Sequence, residues 1–517
     1  MDDELLEQLR ERLRATRDEG RPEAVARRRK TGQRTARENV ADLVDEGTFI
    51  EYGALALAAQ RHSRSVEELV KISPADGLVC GVGAINGARF DEARSRAVVL
   101  AYDYTVFAGT QGVVNHRKMD RMLALAEKHR IPVILFAEGG GGRPSDADVQ
   151  MVAGLDTPTF LSFAALSGLV PRVGIVSGRC FAGNAALLGC CDVIIAAEDS
   201  NVGMGGPAMI EGGGLGTFKP EEVGPVEVQS KNGVVDLRVR DEAEAVAVAK
   251  RYLAFFQGPL KEWTAADQAS LRAALPEKRR RAYKVRPIIE TLADEGSVLE
   301  LRRDFGRNLV TALARVEGRP LGILANDTNF LAGAIDADAS DKAARFLQLC
   351  DAFGLPVVSL CDTPGFMVGP QAEATALVRH VSRMFIQAAA LSVPYLTVVL
   401  RRGYGLGAQA MAGGHFQAPF FTVSWPGGEF GAMNLEGAVK LALRKELEAV
   451  TDPAEREQFL QSAVAVAKER GQAINMASLL ELDAVIDPAE TRAWISRGIR
   501  SAVGAPREAR RRIVDAW

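Results

Sequence analysis

The stretch LGILANDTNFLAGAIDADASDKAARFLQLCDAFGLPVVSLCDTPGF, residues 321–366, has a counterpart earlier in the same chain. The matched pairs share one spacing of 224 positions (356 − 132 = 224): Leu324 with Leu100, Asp327 with Asp103, Gly333 with Gly109, Lys342 with Lys118, Arg345 with Arg121, Pro356 with Pro132 and Gly365 with Gly141. The same spacing places Gly407 on Gly183. Because it runs through glycines, a proline and charged residues, it predicts a duplicated domain. Two unrelated α/β domains, the alternative, would share only their hydrophobic patterning.

A second repeat marks where each half begins. The turn DEGTFIE at 45–51 returns as DEGSVLE at 294–300, which is 249 positions later (294 − 45 = 249). The first half therefore holds about 25 extra residues (249 − 224), and we place them within 54–99.

Each half alternates apolar runs that predict buried strands with charged, helix-periodic stretches. We expect strands at 96–107, 131–137, 172–177, 321–326, 355–361 and 394–401, and helices at 115–130, 146–168, 340–353, 371–391 and 408–413. The alternation predicts an α/β fold with parallel strands. A glycine cluster at 138–142 directly follows a strand, which is where open α/β sheets bind ligands.

Composition and charge exclude several classes of protein. Of 517 residues, 47% are hydrophobic and 25% are charged, with a net charge of −3, which argues against nucleic acid as the main partner. No apolar run is long enough to span a bilayer, and the charged residues 1–20 predict no signal peptide, so we expect a cytoplasmic protein without membrane contact. Six cysteines without C-x-x-C spacing predict neither a disulfide framework nor a zinc site, and no metal is expected.

The candidate chemistry lies in two glycine turns, at 178–184 and 403–407, each between a strand and a helix. Nucleophile, metal-ligand and phosphate-loop motifs do not match the sequence. Unpaired N–H groups at the start of a helix are suited to an oxyanion. The alternative is that these glycines only let a helix pack closely on the sheet. Recurrence of the turn in both halves favours the oxyanion interpretation.

Several segments together are similar to the carboxyltransferase (β) subunit of biotin-dependent acyl-CoA carboxylases, of the propionyl-CoA and long-chain acyl-CoA type. They are RTAREN (34–39), YDYTVFAGTQG (102–112), DFGRNLVTALARVEGRPLGILAND (304–327), LAGAIDADASDKAARFLQLCDAFGLPVVSLCDTPGFMVG (331–369) and RRGYGLGAQAM (401–411). The resemblance covers about residues 30–505 and is densest in the second half.

The resemblance implies two tandem, duplicated crotonase-like (ClpP/crotonase) domains, the first binding acyl-CoA and the second receiving carboxybiotin. We place an N-terminal helical segment at 1–30, the first domain at 31–265 and the second at 266–517. The implied reaction moves a carboxyl group from carboxybiotin to the α carbon of an acyl-CoA through a thioester enolate. Charge then develops on two oxygens, which calls for two oxyanion holes, built between neighbouring subunits of a homohexamer.

Carried over by position, the resemblance assigns one pair of oxyanion amides to Ala182 and Gly183 and the other to Leu406 and Gly407. The family usually has glycine where Leu406 stands. A leucine amide serves equally well if its φ is negative.

Further ligand-contacting positions are Gly140, Gly141, Gly365, Phe366, Ala408 and Gln409. The family usually has Tyr-Asp at 408–409, so the smaller Ala408 predicts a roomier acyl site and a substrate larger than acetyl-CoA.

Charged residues around these turns receive separate predictions. Candidate cations for the CoA phosphates are the run 27–30, Arg61, Lys71 and Arg143. Glu138 and Asp362 end matching strands, and we expect them to orient the glycine loops rather than to act as acid or base. The recurring Lys118 and Lys342 predict structural salt links.

The chain lacks a biotinylated Ala-Met-Lys-Met segment and an ATP-grasp pattern, so we expect a biotin carboxylase and biotin carboxyl carrier on another polypeptide. Three alternatives stay open. A decarboxylase subunit of the same fold would run the transfer in reverse. A hydratase or isomerase would need paired carboxylates, which we do not find at convincing positions. A non-catalytic CoA-binding scaffold would bind without turnover.

Overall fold

The computed structural model describes residues 3–148, 155–279, 281–502 and 513–517. The chain divides into two compact units. Unit 1 is Met1–Gly258 with Arg511–Ala516, and unit 2 is Pro259–Arg510 with Trp517. The division lies before the predicted boundary at 265/266, and the segment predicted at 1–30 falls within unit 1.

Unit 1 is built on a mixed sheet. Its strands are β1 (Ile50–Tyr52), β2 (Leu78–Ala84), β3 (Arg96–Tyr102), β4 (Val133–Phe136), β5 (Gly139–Gly140), β6 (Arg172–Val176), β7 (Arg179–Phe181), β8 (Val193–Ala197), β9 (Asn201–Gly203) and β10 (Leu237–Val239). The order β1-β2-β3-β4-β6-β8-β10 is antiparallel through β3 and parallel from β3 onward. A second, parallel sheet has the order β5-β7-β9.

The described part of unit 1 has eleven α-helices, and several of them pack on the main sheet. They are α1 (Asp3–Arg14), α2 (Pro22–Arg29), α3 (Ala36–Leu43), α4 (Val66–Ile72), α5 (Glu92–Ser95), α6 (Val113–His129), α7 (Thr159–Ala164), α8 (Ala182–Gly189), α9 (Pro207–Gly212), α10 (Val226–Lys231) and α11 (Glu242–Ala254). α3 begins with a capping box between Thr35 and Glu38. Strands β3, β4 and β6 are buried along almost their whole length, so the site at their carboxyl ends stands on a rigid core.

Unit 2 repeats this architecture. Its strands are β11 (Leu299–Leu301), β12 (Leu309–Val316), β13 (Arg319–Asn326), β14 (Val357–Thr363), β15 (Tyr395–Tyr404), β16 (Phe421–Ser424), β17 (Glu429–Gly431) and β18 (Ala484–Val485). The order is β11-β12-β13-β14-β15-β16-β18, antiparallel through β13 and then parallel, and β17 pairs with the end of β15.

The helices of unit 2 follow the same sequence and continue into a helical tail. They are α12 (Arg286–Leu292), α13 (Ala337–Phe353), α14 (Pro370–Glu373), α15 (Leu377–Ala390), α16 (Gly405–Met411), α17 (Leu435–Ala442), α18 (Arg444–Ala449), α19 (Pro453–Arg470), α20 (Ala473–Ser478) and α21 (Thr491–Ser501). No helix within the described ranges is both long and apolar enough to cross a membrane.

The strand predicted at 96–107 ends at Tyr102, and the helix predicted at 340–353 begins at Ala337. Three further predicted elements also differ from the structure. The helix predicted at 371–391 is divided into α14 and α15, because Ala376 takes a left-handed conformation with φ 58°. The helix predicted at 408–413 begins earlier, at Gly405. Of the helix predicted at 146–168, only α7 is helical among the described residues, and 149–154 lie outside them.

Backbone detail recurs at the 224-residue spacing. Three consecutive left-handed residues form the turn 107–109 (φ 48°, 52° and 68°), and three more form the turn 331–333 (φ 47°, 52° and 82°). An isolated parallel bridge joins Gln111 to Gly142, and its counterpart joins Ile335 to Phe366. Left-handed runs of this kind are uncommon outside glycine, so their repetition supports the duplication independently of residue identity.

The recurring lysines do not form salt links, contrary to the prediction. Lys118 Nζ donates to the carbonyls of Ala75 and Leu78 in unit 1. Lys342 Nζ donates to the carbonyls of Phe305 and Leu309, at 2.9 and 2.7 Å, in unit 2. Each lysine therefore joins a helix to the antiparallel part of its sheet. Burial lowers the pKa of both ammonium groups, that of Lys342 to about 7.

The buried amine of Lys342 predicts a pH dependence of stability. The unfolded lysine keeps its proton to about pH 10.4, whereas the folded one loses it above about pH 7, so raising the pH between these values favours folding. We expect the free energy of unfolding of the wild type to rise, relative to Lys342→Met, by up to about 1.4 kcal/mol per pH unit between pH 7 and 10.

Urea unfolding at several pH values measures this difference. Lys440→Met is the matched control, because Lys440 is exposed and pairs with Glu436 on the surface of α17. Its difference from the wild type should stay flat over the same range. An equally flat profile for Lys342→Met would contradict the prediction.

Candidate active site

The first glycine turn joins β7 to α8 in unit 1. Its N-cap residue is Phe181 (φ −129°), and no side chain caps the helix. Ala182 and Gly183 are the first two residues of α8, so their N–H groups have no intrahelical acceptor. Ala182 itself is left-handed, with φ 51°. The two predicted amides therefore lie at an uncapped helix start, as an oxyanion site requires.

The second glycine turn joins β15 to α16 in unit 2. Its N-cap residue is Tyr404, again an aromatic residue without a side-chain cap. Gly405 has a positive φ of 57°, whereas the φ of Leu406 is negative. The condition that the sequence sets for the Leu406 amide is thus met.

The two turns match one residue out of the predicted register. Phe181 and Tyr404 are the N-caps, and Ala182 and Gly405 are the left-handed first residues, so the spacing here is 223 (404 − 181 = 223). Gly407 therefore occupies the third position of its helix, where unit 1 has Asn184. The match of Gly407 with Gly183, made from the glycines alone, is wrong in structural register.

The glycine loop of unit 1 lies directly beside the first turn. Gly139 and Gly140 form β5 and pair with Cys180 and Phe181. A Cβ on Gly140 would lie 2.3 Å from the carbonyl oxygen of Phe181, so only glycine permits this approach. A Cβ on Gly141 would meet nothing within 4 Å. The structure thus places Gly140 against the first glycine turn and Gly141 beside open space.

The corresponding loop of unit 2 also touches its helix. A Cβ on Gly407 would lie 2.6 and 2.7 Å from the carbonyl carbon and Cα of Gly365 and 2.9 Å from the nitrogen of Phe366. The Phe366 ring packs edge-on against Phe385, with centroids 6.2 Å apart. The predicted residues Gly365, Phe366 and Gly407 therefore form one contact.

The other predicted positions of this turn differ in exposure. Leu406 is 61% exposed and Gln409 is exposed, so both are available to a ligand. Ala408 is 1% exposed and belongs to the hydrophobic core of unit 2. Its methyl group therefore packs in this core. That Ala408 enlarges an acyl pocket stays a prediction.

Two carboxylates end the matching strands, and arginines hold both of them. Glu138 accepts two hydrogen bonds of 2.6 Å from Arg28, a residue of α2. Asp362 accepts from Arg401 at 2.9 Å and Arg402 at 2.7 Å. Burial raises the pKa of Glu138 to about 7 against the opposing effect of Arg28. Each carboxylate is thus fixed directly before its glycine loop.

Two of the predicted phosphate-binding cations are committed elsewhere. Arg28 is buried against Glu138, and Arg143 is buried and pairs with Asp76 at 2.5 Å. Arg27, Arg61 and Lys71 remain exposed. The sequence could not distinguish them, because a buried arginine and a solvated arginine look alike in a polar stretch.

A cysteine and a histidine of this region differ in their suitability for nucleophilic chemistry. Cys180 lies in the first turn, but it is fully buried and burial raises the pKa of its thiol. His116 contacts Thr159, and burial lowers its pKa, which favours the neutral ring. The described residues contain no group of three or more His, Cys, Asp or Glu that could hold a metal ion.

Two buried asparagines beside these loops were not predicted from the sequence. Asn184, the third residue of α8, donates to the carbonyls of Gly109 and Glu138. Asn326, at the end of β13, donates to the carbonyl of Gly333 and accepts from the amide of Asp362. The 224-residue repeat does not reveal them, because it pairs Asn326 with Tyr102 and Asn184 with Ala408. The two asparagines therefore occupy different positions of the two units.

Comparison with known proteins agrees with this architecture. The family model described as "Carboxyl transferase domain" matches residues 27–513. The methylmalonyl-CoA carboxyltransferase 12S subunit of Propionibacterium freudenreichii subsp. shermanii is 32% identical over 486 residues, covering 90% of both chains. A solved structure of the transcarboxylase 12S protein, described as a hexamer with methylmalonyl-CoA bound, superposes with a TM-score of 0.87 at 29% identity and covers 99% of this chain and 97% of that one.

A solved single-chain, multi-domain long-chain acyl-CoA carboxylase is more similar in sequence, with 58% identity and a TM-score of 0.90. The match covers 96% of this chain but 49% of that protein, so this chain spans about half its length. With the family model matching nearly the whole chain, the protein belongs to the carboxyl transferase family, among the carboxyltransferases of biotin-dependent acyl-CoA carboxylases.

Proposed function

We propose that this chain moves the carboxyl group of carboxybiotin to the α carbon of an acyl-CoA thioester. The observation that carries the proposal is the pair of helix starts, each uncapped, each preceded by an aromatic residue and each packed against a glycine loop. They belong to units that we interpret as tandem crotonase-like domains. Two such sites match a reaction in which two oxygens become negative.

The residues have separate roles in this proposal. The amides of Ala182 and Gly183 hold the thioester oxygen as the enolate forms, and those of Leu406 and Gly407 hold the ureido oxygen of biotin. Carboxybiotin supplies the carboxyl group and, after its release, the base. The chain therefore needs no side-chain base, which agrees with the fixed, arginine-paired state of Glu138 and Asp362.

The reverse half-reaction tests the proposal on the isolated protein. We would incubate it with biocytin and malonyl-, methylmalonyl- and longer carboxyacyl-CoAs and follow loss of the carboxylate. Turnover is the expected result. Binding of acyl-CoA without turnover on any member would overturn the proposal and favour a CoA-binding scaffold.

The same panel defines the acyl group. We expect higher kcat/KM for longer carboxyacyl-CoAs than for malonyl-CoA, in line with the 58% identical relative described as a long-chain acyl-CoA carboxylase. A strict preference for malonyl-CoA would contradict a substrate larger than acetyl-CoA.

The direction of the reaction in the cell is a separate question, because the same site catalyses carboxylation and decarboxylation. Genes nearby for a biotin carboxylase would favour synthesis, and a membrane pump subunit would favour the decarboxylase alternative.

We also propose a separate biotin-bearing partner and a homohexamer in the cytoplasm. The 12S relative is described as a hexamer, whereas the 58% identical relative is described as single-chain. Streptavidin blotting of the native protein, run beside sizing by light scattering, tests both points. Biotin on a second, smaller polypeptide supports the separate carrier, and biotin on the polypeptide that contains this sequence contradicts it.

A further inference from the structure

We infer that Asn184 is a positioning residue, which sets the distance between the oxyanion amides of unit 1 and the glycine loop beside them. The inference rests on the proposed function. Asn184 is fully buried, and its Nδ2 donates to the carbonyl of Gly109 at 3.0 Å and to that of Glu138 at 2.6 Å. One side chain thus ties three segments of the site together.

Each tied segment is adjacent to a functional position. Gly109 ends the left-handed turn 107–109, and Glu138 directly precedes the loop that pairs with Cys180 and Phe181. Asn184 itself follows Ala182 and Gly183 in α8. Any change in its two hydrogen bonds therefore shifts the helix start relative to the loop.

The left-handed turn explains why a fixed connection is needed. Phe107 and Ala108 have φ of 48° and 52°, a strained backbone conformation for an L residue. Such strain persists only where the surroundings impose it. A Cβ on Gly109 would lie 2.5 Å from the carbonyl oxygen of Glu138, so turn and loop touch where Asn184 joins them.

Unit 2 makes the same connection with a different residue. Asn326 donates to the carbonyl of Gly333 at 3.3 Å and accepts from the amide of Asp362 at 3.0 Å. Gly333 and Asp362 are the counterparts of Gly109 and Glu138 at the 224-residue spacing (333 − 109 = 224; 362 − 138 = 224). Two buried asparagines at unrelated positions thus join the same pair of segments, which a requirement of core packing alone would not select.

The two connections differ in what they include. Asn326 lies on β13, outside the helix that carries the amides, whereas Asn184 lies on that helix. In unit 2 the helix instead meets its loop through the backbone contact of Gly407 with Gly365. Asn184 therefore couples the amides to the loop by hydrogen bonds, and its effect should appear in kcat rather than in KM.

The test compares Asn184→Ala with Asn201→Ala in the reverse half-reaction. Asn201 is the matched control, because it too is buried in unit 1 and its Nδ2 donates to two backbone carbonyls, those of Glu221 and Val223. We expect Asn184→Ala to lower kcat about 100-fold, as small misplacements of catalytic groups do, with KM for acyl-CoA and biocytin changed less than about threefold. Asn201→Ala should keep kcat within about threefold of the wild type.

A second variant separates positioning from folding. Asn184→Asp has nearly the same shape but, when ionised, donates no hydrogen bond, whereas its protonated form donates one. Burial beside two carbonyls raises the pKa of such a carboxyl group. We therefore expect its kcat, relative to the wild type, to rise several-fold as the pH falls from 8.5 to 6, with no such rise for Asn201→Asp.

The outcomes are distinct. A wild type without turnover removes the proposed function itself. With an active wild type, equal kcat for the two alanine variants overturns the role of Asn184. If Asn184→Ala does not fold, the pH profile of Asn184→Asp decides, and a profile parallel to the wild type overturns the role.

Discussion

Replacing Gly407 with alanine is expected to lower kcat for carboxyl transfer on the order of 100-fold to 1,000-fold while leaving unit 2 folded. The new Cβ would lie 2.6–2.9 Å from backbone atoms of Gly365 and Phe366. Backbone atoms cannot move aside as a flexible side chain can, so the loop and the helix start must separate. The amides of Leu406 and Gly407 then lose their alignment with the ureido oxygen that we propose they hold. Kinetics of the reverse half-reaction, with unfolding measured in parallel, tests this.

Two further glycine variants serve as controls. A Cβ on Gly437, in α17, would meet nothing closer than 4.0 Å, so Gly437→Ala should leave kcat unchanged. In Gly183→Ala the nearest atom is a side-chain oxygen, Oε1 of Gln111, at 2.1 Å. That variant should lose less activity than Gly407→Ala, and adding Gln111→Ala should restore part of it. Retention of wild-type kcat by Gly407→Ala would contradict a catalytic role for this contact.

Much of the fold follows from the sequence because the internal repeat shows which segments of the two units are equivalent. A match at one spacing through glycines and charged residues locates equivalent strands and helices without knowledge of either unit, and the recurring left-handed turns at 107–109 and 331–333 agree with it. The break between α14 and α15 was not predictable. It depends on the left-handed conformation of Ala376, which alanine rarely adopts and which no local sequence pattern predicts.

The candidate site was predictable in place but not in detail. Glycine turns after strands locate the uncapped helix starts, since their composition reports close backbone approach. Their register shifts by one residue, because the N-caps are Phe181 and Tyr404 and only the structure shows where each helix begins. Partner choice is also a long-range property. The sequence cannot reveal that Lys342 donates to carbonyls, or that Arg28 reaches Glu138 across 110 positions.

These long-range pairs show how the chain builds the same site twice with different supports. The carboxylate before the loop is held by Arg28 from α2 in unit 1 and by Arg401 and Arg402 from β15 in unit 2. Equivalent loops therefore depend on non-equivalent residues. A substitution at the carboxylate should act through the arginine that it leaves unpaired, and unit 2 offers the sharper case.

Replacing Asp362 with asparagine is expected to destabilise unit 2 by about 3–5 kcal/mol, the usual effect of removing one partner from a buried ion pair. Asp362 is fully buried, and it compensates Arg401, which is 5% exposed. Arg402 is more exposed and can turn toward water, but Arg401 also donates to backbone carbonyls of Arg279 and Arg281, which hold it in place. Asparagine has nearly the same size and shape as the aspartate but lacks the negative charge that compensates this fixed cation.

A double-mutant cycle with Arg401→Met distinguishes charge from shape. If the penalty comes from the unpaired guanidinium, Asp362→Asn combined with Arg401→Met should recover most of the lost free energy of unfolding, since removing both charges of a buried pair is often close to neutral. Asp487→Asn is the matched control, because Asp487 pairs with Arg272 in the same unit at an exposed site, and it should leave the free energy of unfolding nearly unchanged. Strictly additive effects in the cycle would mean that Asp362 stabilises its loop through its own packing and not through Arg401, and the equivalence with Glu138 and Arg28 would then fail.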